Sequence, residues 1–191
     1  MRFPLLIALV FSTSTALAQT DLWSHVSPQA GPQQLQPASL SDAQLKSFAH
    51  LLRQQKPGEI WECEAADMDD LIKDLRRESI SITPQQNVVL AEAPDGCARG
   101  GQGANGAMRV IRYDLNTPVL LATPREFNCW LFSVGPSSSH GYPDIVLGWH
   151  MSAAEANLSY FRFDGKSYYS IGTAKLQTDD QDNEKIVSDQ K

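Results

Sequence analysis

Residues 157–171, NLSYFRFDGKSYYSI, predict a β-hairpin and provide the clearest local evidence for the fold. Asp164-Gly165 is a strong signal for a two-residue turn, and with that turn Phe161 faces Tyr168 on the opposite strand. Both faces of the hairpin carry aromatic side chains, and we favour the interpretation that both belong to the core. The two sets are Phe161, Phe163 and Tyr168 on one face and Tyr160 and Tyr169 on the other.

Two helices are predicted ahead of the strands. The first begins at Ser41, because Ser41 and Gln44 form a capping-box pattern, and Pro57-Gly58 lies beyond its end. The second begins at Asp67, after which apolar residues recur with helical spacing. These apolar residues are Met68, Leu71, Ile72 and Leu75.

From Ser79 onward the sequence consists of short apolar runs that are typical of β-strands. The connections between them are short and rich in Gly, Pro, Asn and Asp. Because parallel strands need long crossover connections, these short ones favour an antiparallel meander. The sequence therefore predicts an α+β domain with two N-terminal helices packed on a mostly antiparallel, meander-like β-sheet.

Residues 1–18 have the layout of a secretory signal peptide, in which Arg2 precedes an apolar run and Ala16-Leu17-Ala18 forms the cleavage pattern. The apolar run is much shorter than the ~20 residues that a membrane-spanning helix needs. No later segment has the length and hydrophobicity of a membrane anchor. We therefore expect cleavage near Ala18, no membrane insertion, and a periplasmic or secreted protein.

The rest of the chain predicts one domain, because about 173 residues remain after cleavage. Residues 19–38 form an extended N-terminal lead that Leu22 and Trp23 would pin to the body. Residues 39–176 form the single α+β domain. The polar residues 177–191 are expected to form a disordered tail.

The charge balance excludes some classes of partner. The chain has 16 Lys and Arg against 22 Asp and Glu, which gives a net charge of -6 at pH 7. An acidic surface without basic clusters argues against nucleic acids and anionic lipids as partners. We expect neither.

The glycine-rich segment Gly101-x-Gly103-x-x-Gly106 has the letter pattern of a dinucleotide-binding loop. That motif binds phosphates when a helix follows the loop, whereas here a strand-like run follows. No cofactor is therefore predicted. An anion-binding nest of backbone amides beside Arg99 or Arg109 remains an alternative.

The three cysteines predict one disulfide and one thiol in an oxidising compartment. Cys129 lies in an apolar run and is expected to be buried. Cys63 and Cys97 both border loops, so Cys63–Cys97 is the favoured pair. The sequence contains no Cys-x-x-Cys pair, and no metal site is predicted.

A possible catalytic set lies around the loop that contains Tyr142. His140 and Asp144 flank this loop, and Ser139 offers a hydroxyl group beside them. A hydrolytic triad needs a nucleophile, a base and an orienting group in successive hydrogen-bond contact. The favoured interpretation is simpler: Asp144 accepts hydrogen bonds from loop amides and holds the turn. His150 lies ~20 Å farther along the predicted strand and cannot join this set.

Three segments, CARGGQGANGAMRVIRYD, HGYPDIVLGWH and FRFDGKSY, resemble small exported bacterial proteins over residues 60–175. The resemblance supplies no activity and no catalytic residues, so nothing is carried over from it. GYPDIV is also similar to the Asp-containing turns of FG-GAP propeller repeats. Because it occurs once, no propeller is predicted.

The favoured functional hypothesis is a non-enzymatic binding or accessory domain, such as an inhibitor or an envelope factor. Its partner would be a protein, peptide or glycan of the cell envelope. The alternatives are a purely structural role and a hydrolase-like enzyme that uses His140, Asp144 and Ser139. The candidate ligand-binding residues are Arg99, Arg109, Tyr142, Phe161 and Tyr168.

Overall fold

The computed structural model describes residues 22–27, 36–54, 67–85, 87–92, 106–122, 128–152 and 154–188. Within these ranges the chain forms two helices and ten strands, and all strand pairs are antiparallel. This composition is that of an α+β protein. The predicted signal peptide and the Cys63–Cys97 pair lie outside the described residues.

The elements, in chain order, are β1 (Gln36–Pro37), α1 (Asp42–Arg53), α2 (Met68–Glu78), β2 (Ser79–Ser81), β3 (Val88–Glu92), β4 (Gly106–Asp114), β5 (Thr117–Leu120), β6 (Asn128–Ser139), β7 (Tyr142–His150), β8 (Glu155–Phe163), β9 (Tyr168–Thr178) and β10 (Glu184–Ser188).

Both helices begin at the predicted caps. The Ser41 hydroxyl accepts a hydrogen bond from the Gln44 amide at 3.3 Å, and the Gln44 side chain accepts one from the Ser41 amide at 2.9 Å. This reciprocal pair satisfies two amides that a helix start leaves without partners. Asp67 caps α2 by accepting a hydrogen bond from the Asp69 amide at 2.8 Å.

Among the described residues, the strands form two antiparallel sheets that the pairing of β4 with β6 joins. The first has the order β1-β2-β3-β4, with β5 also paired to β4. The second has the order β6-β7-β8-β9-β10, in which each strand pairs with the next along the chain. A two-residue pairing of β4 with β6, at Gly106–Cys129 and Ala107–Asn128, connects them.

Side-chain alternation along β3 places two core clusters on opposite faces of the first sheet. Val89 and Ala91 pack with apolar side chains of α1 and α2, including Leu45. Val88 and Leu90 pack on the other face, against residues of the second sheet. The first sheet therefore lies between the helices and the second sheet.

A third core cluster covers the outer face of the second sheet. Trp23 and Val26 are buried there, and the Trp23 ring meets Tyr160 edge-on at a centroid distance of 5.7 Å. A Cβ placed on Gly172 would lie 2.7 Å from Cδ2 of Leu22. Because glycine has no side chain, Leu22 can pack against the sheet at this position. Leu22 and Trp23 therefore pack on the outer face of the second sheet.

The C-terminal residues correct one prediction, because much of the expected disordered tail is a strand. β10 pairs with β9 from Glu184 opposite Thr178 to Ser188 opposite Ala174. The Asp179 carboxylate holds the turn between them by accepting hydrogen bonds from nearby backbone amides. Sequence polarity alone did not reveal this turn.

The β8–β9 hairpin corrects a second prediction. Its turn is four residues long, and Phe163, rather than Phe161, faces Tyr168. The Asp164 carboxylate accepts hydrogen bonds from the amides of Lys166 and Ser167 at 2.7 and 2.8 Å, which stabilises the longer turn. The shift by two residues leaves the predicted faces unchanged. Phe161, Phe163 and Tyr168 lie in the core between the sheets, Tyr160 lies in the outer cluster, and Tyr169 is exposed.

Candidate functional site

The β6–β7 hairpin carries the three residues predicted from the sequence as catalytic candidates, Ser139, His140 and Asp144. Ser139 pairs with Tyr142, so the connection consists of His140 and Gly141 alone. Both have positive φ, 53° and 80°, as in the two-residue type I′ turn that suits the twist of a hairpin. His140 therefore lies at the tip of a hairpin.

The His140 side chain is packed against the neighbouring hairpin. Its ring centroid lies 6.3 Å from that of Phe163, in an edge-on arrangement. A Cβ on Gly165 would lie 3.5 Å from Cε1 of the imidazole, which shows how closely the two hairpin tips approach. Tyr142 also packs on Phe163, with centroids 4.2 Å apart.

Asp144 is fully buried and is bound to Arg162 on the adjacent strand. Its Oδ2 atom accepts hydrogen bonds from Nη2 at 2.8 Å and from Nε at 3.2 Å, and Oδ1 accepts one from Nε at 3.2 Å. Such a two-pronged contact between guanidinium and carboxylate is geometrically specific. The hydrogen bond to Asp144 also raises the pKa of Arg162 above its ordinary value.

His140 and Asp144 are directed to opposite faces of the second sheet. Arg162 lies between Phe161 and Phe163, which belong to the core between the sheets, so Arg162 and its partner Asp144 lie on the other face. His140 instead contacts Phe163. Among the described residues, no hydrogen bond joins Asp144 to His140, and the structure does not bring together the three groups of a catalytic relay.

A bulge in β6 shapes the surroundings of Asp144. Between the pairs Val134–Ile145 and Ser138–Pro143, residues 135–137 of β6 lie opposite Asp144 alone. Bulges of this kind bend a strand and redirect side chains. A Cβ on Gly135 would lie 2.7 Å from the Tyr160 hydroxyl and 3.2 Å from Cβ of Asp144, so the bulge brings a glycine against both residues.

Arg162 extends from this buried pair to the surface. Its side chain is 37% exposed, and in the part of the chain that the structure describes no group accepts a hydrogen bond from its Nη1. Tyr169 lies directly opposite Arg162 on β9 and is 44% exposed. We name Asp144, Tyr160, Arg162 and Tyr169 the Arg162 cluster.

The residues that the sequence proposed for ligand binding lie elsewhere. Phe161 and Tyr168 are each 2% exposed in the core between the sheets, and the Tyr168 hydroxyl donates to the Pro143 carbonyl at 2.9 Å. Burial raises the pKa of Tyr168 well above its ordinary value. Arg109 is 1% exposed on the helix-facing side of β4. Arg99 lies outside the described residues.

Sequence reasoning missed Arg162 as the partner of Asp144. One signal was available, because opposite charges stood on two neighbouring predicted strands. A second was Gly135-Pro136 within a strand-like run, which is typical of a bulge. Neither signal identifies the partner until the register between β7 and β8 is known.

No protein-family model, curated protein or solved structure matches the chain. Among the described residues, no group of three or more His, Cys, Asp and Glu side chains is arranged to hold a metal ion. Across the same ranges, no helix combines the length and hydrophobicity needed to cross a membrane.

Proposed function

We propose that the chain is an exported, non-enzymatic binding or accessory domain that contacts a protein of the cell envelope through Arg162 and Tyr169. Export is supported by the signal-peptide pattern of residues 1–18. The architecture in this proposal is the one expected from the sequence, in which two N-terminal helices pack on a meander-like antiparallel sheet.

The observation that carries the proposal is an exposed guanidinium held by a buried carboxylate. Asp144 engages Nε and Nη2 of Arg162, so the outer end of the side chain has a restricted position before any partner arrives. Restricting a long side chain in advance lowers the entropy cost of binding. Nη1 has no acceptor among the described residues, so in this proposal it donates to the partner.

Tyr169 adds the second element of a protein-binding surface. It is exposed and lies on the same face as Arg162, because residues directly opposite on paired strands share a face. Tyr and Arg are over-represented among the residues that contribute most to protein–protein affinity. Because Asp144 already neutralises Arg162, a carbonyl oxygen of the partner is a suitable acceptor for Nη1, and a strong anion is not required.

The hydrolase alternative has no supporting contact in the described residues. His140 packs against Phe163, and the hydrogen bonds of Asp144 go to Arg162. A general base must be hydrogen-bonded to its nucleophile and its orienting group, and this arrangement favours binding over catalysis.

The test compares Tyr169→Ala with Val187→Ala, a matched control whose side chain is similarly exposed on β10. The full chain is tagged and used to capture proteins from an envelope fraction. Each captured protein is then purified, and its affinity is measured for all three forms. We expect Tyr169→Ala to weaken binding roughly tenfold or more and Val187→Ala to leave it unchanged.

Two results would overturn the proposal. One is that no purified protein binds the wild-type chain, and the other is that both variants bind equally well. Hydrolysis of an ester or peptide substrate that is lost in His140→Asn would instead favour the enzyme.

A further inference from the structure

A shallow depression of about 570 Å³ lies at one end of the first sheet, and none of its described lining residues belongs to the Arg162 cluster. Three parts of the chain surround it: the start of α1, the β2–β3 connection and the β4–β5 turn. Its volume is within the range of small-molecule binding sites. The lining includes Ser39, Gln44, Gln85, Asn87, Tyr113 and Leu115.

Among the residues that the structure describes, none with a charged side chain lines this depression, although the protein as a whole is acidic. Gln44, Gln85 and Asn87 contribute three carboxamides, each of which both donates and accepts hydrogen bonds. Asn87 Oδ1 already accepts a hydrogen bond from the Thr83 hydroxyl at 3.0 Å, which orients that amide. The depression is therefore suited to a neutral ligand whose groups also donate and accept.

Tyr113 is another lining residue, and its hydroxyl is buried. The residue is 5% exposed, and its hydroxyl has no hydrogen-bond partner among the described residues. A buried polar group without a partner is costly, and such groups in folded proteins call for an explanation. The hydroxyl is a donor at neutral pH, because the ordinary pKa of tyrosine is about 10 and burial raises the pKa of Tyr113 further.

Leu115 forms an exposed lip beside this depression. It is 91% exposed and has a φ of 61°, a left-handed conformation that is unfavourable for a leucine. The Gln44 side chain donates to the Leu115 carbonyl at 3.2 Å and ties the turn to α1. Strained backbone of this kind persists where the surroundings enforce it, often at binding sites.

We infer that this depression binds a short neutral oligosaccharide, with Gln85 and Asn87 hydrogen-bonding its hydroxyl groups and Tyr113 donating to one of them. Sugar hydroxyls both donate and accept, as the carboxamides do. A charged ligand would leave its charge without a partner in this lining. Extended peptides commonly bind by adding a strand to the edge of a sheet. This depression is bounded instead by a helix start, a loop and a turn, which argues against a peptide ligand. Because the Tyr113 hydroxyl is buried, the ligand reaches it only when side chains around it change rotamer, and exposed side chains do so on the ps–ns timescale.

The test is a titration of the ¹⁵N-labelled full chain with four probes. Triacetylchitotriose and maltotriose are neutral sugars, trigalacturonate is a charged sugar, and acetyl-trialanine amide is a neutral peptide. We expect a neutral sugar to shift the side-chain amide signals of Gln44, Gln85 and Asn87. Gln85→Ala and Tyr113→Phe should each weaken that binding roughly fivefold, as expected for the loss of one hydrogen bond.

Two control variants make the test specific. Gln177→Ala removes an exposed carboxamide on β9, and Tyr169→Phe removes a phenol hydroxyl at the Arg162 cluster. Both should bind the sugar with wild-type affinity. Binding of the peptide or the charged sugar alone would overturn the inference. Absence of shifts with either neutral sugar at its solubility limit, or equal affinities for all variants, would also overturn it.

Discussion

The side chains of Asp144 on β7 and Arg162 on β8 form an ion pair beside the paired residues Ile145 and Phe161, and the carboxylate is 0% exposed while the guanidinium side chain is 37% exposed. The pair thus spans the boundary between the interior of the protein and its surface. A buried charge is costly unless it is paired and hydrogen-bonded. The folded protein therefore depends on Arg162 to offset the cost of burying the Asp144 carboxylate.

Replacing Asp144 by Asn should destabilise the protein by about 2 kcal/mol. This is below the ~3–5 kcal/mol typical of breaking a fully buried pair, because Arg162 remains partly solvated. Urea unfolding of Asp144→Asn, Arg162→Gln and the double variant measures the coupling energy. The exposed pair Arg112–Asp114 is the matched control and should show a coupling below about 1 kcal/mol. Equal coupling energies for the two pairs would contradict the structural role of Asp144.

Gly135→Ala should destabilise the protein by about 1–3 kcal/mol, because the new methyl group would lie 2.7 Å from the Tyr160 hydroxyl. In a Tyr160→Phe background the clashing oxygen is absent, and the cost of the same substitution should fall. Gly141→Ala serves as the control. It introduces strain at a φ of 80° without meeting any atom within 4 Å, so Tyr160→Phe should not change its cost.

Trp23→Ala should cost about 3–5 kcal/mol in the free energy of unfolding, because it removes a buried aromatic ring from the outer face of the second sheet. Trp149→Ala is the control, since Trp149 is 37% exposed, and its cost should be below about 1 kcal/mol. Chemical denaturation of both variants provides the comparison. Similar costs would show that residues 22–27 do not contribute to the core.

Substitutions at His140 should report on the left-handed backbone of the β6–β7 turn. Asn tolerates positive φ, whereas Val does not, and both lack the imidazole that contacts Phe163. His140→Val should therefore be less stable than His140→Asn by about 1–2 kcal/mol. Thermal and urea unfolding give this difference directly. Equal stabilities would be inconsistent with a φ of 53° at this position.

The Asp164 carboxylate should make the stability of the β8–β9 turn dependent on pH. Hydrogen bonds from the Ser167 and Lys166 amides lower the pKa of Asp164 below its ordinary value of 3.8. A lowered pKa means that the charged form stabilises the fold above pH 3.8, and that this contribution is lost as the pH falls through the folded-state pKa. The difference in Tm between the wild type and Asp164→Ala should therefore shrink between pH 6 and about pH 2. A difference that stays constant over this range would exclude this role.

Some features of the fold were predictable from the sequence because they depend on neighbours a few residues away. The Ser41–Gln44 capping box and the Asp67 cap are interactions within one helical turn. Side-chain alternation along β7 likewise places Ile145 and Leu147 on one face, and both lie in the core between the sheets. Trp149 follows the same alternation but is 37% exposed, so alternation along a strand gives the face of a side chain and not its burial.

The sequence by itself thus determined the local caps, the strand-forming runs and the face on which each side chain lies. The tertiary structure decided the register, because a period of two leaves pairings that differ by two residues equally compatible with the pattern. That freedom accounts for the four-residue turn at Asp164 and for the pairing of Phe163 with Tyr168. It also accounts for Asp144, because the register that pairs Ile145 with Phe161 brings the next residues along, Asp144 and Arg162, within ion-pair distance.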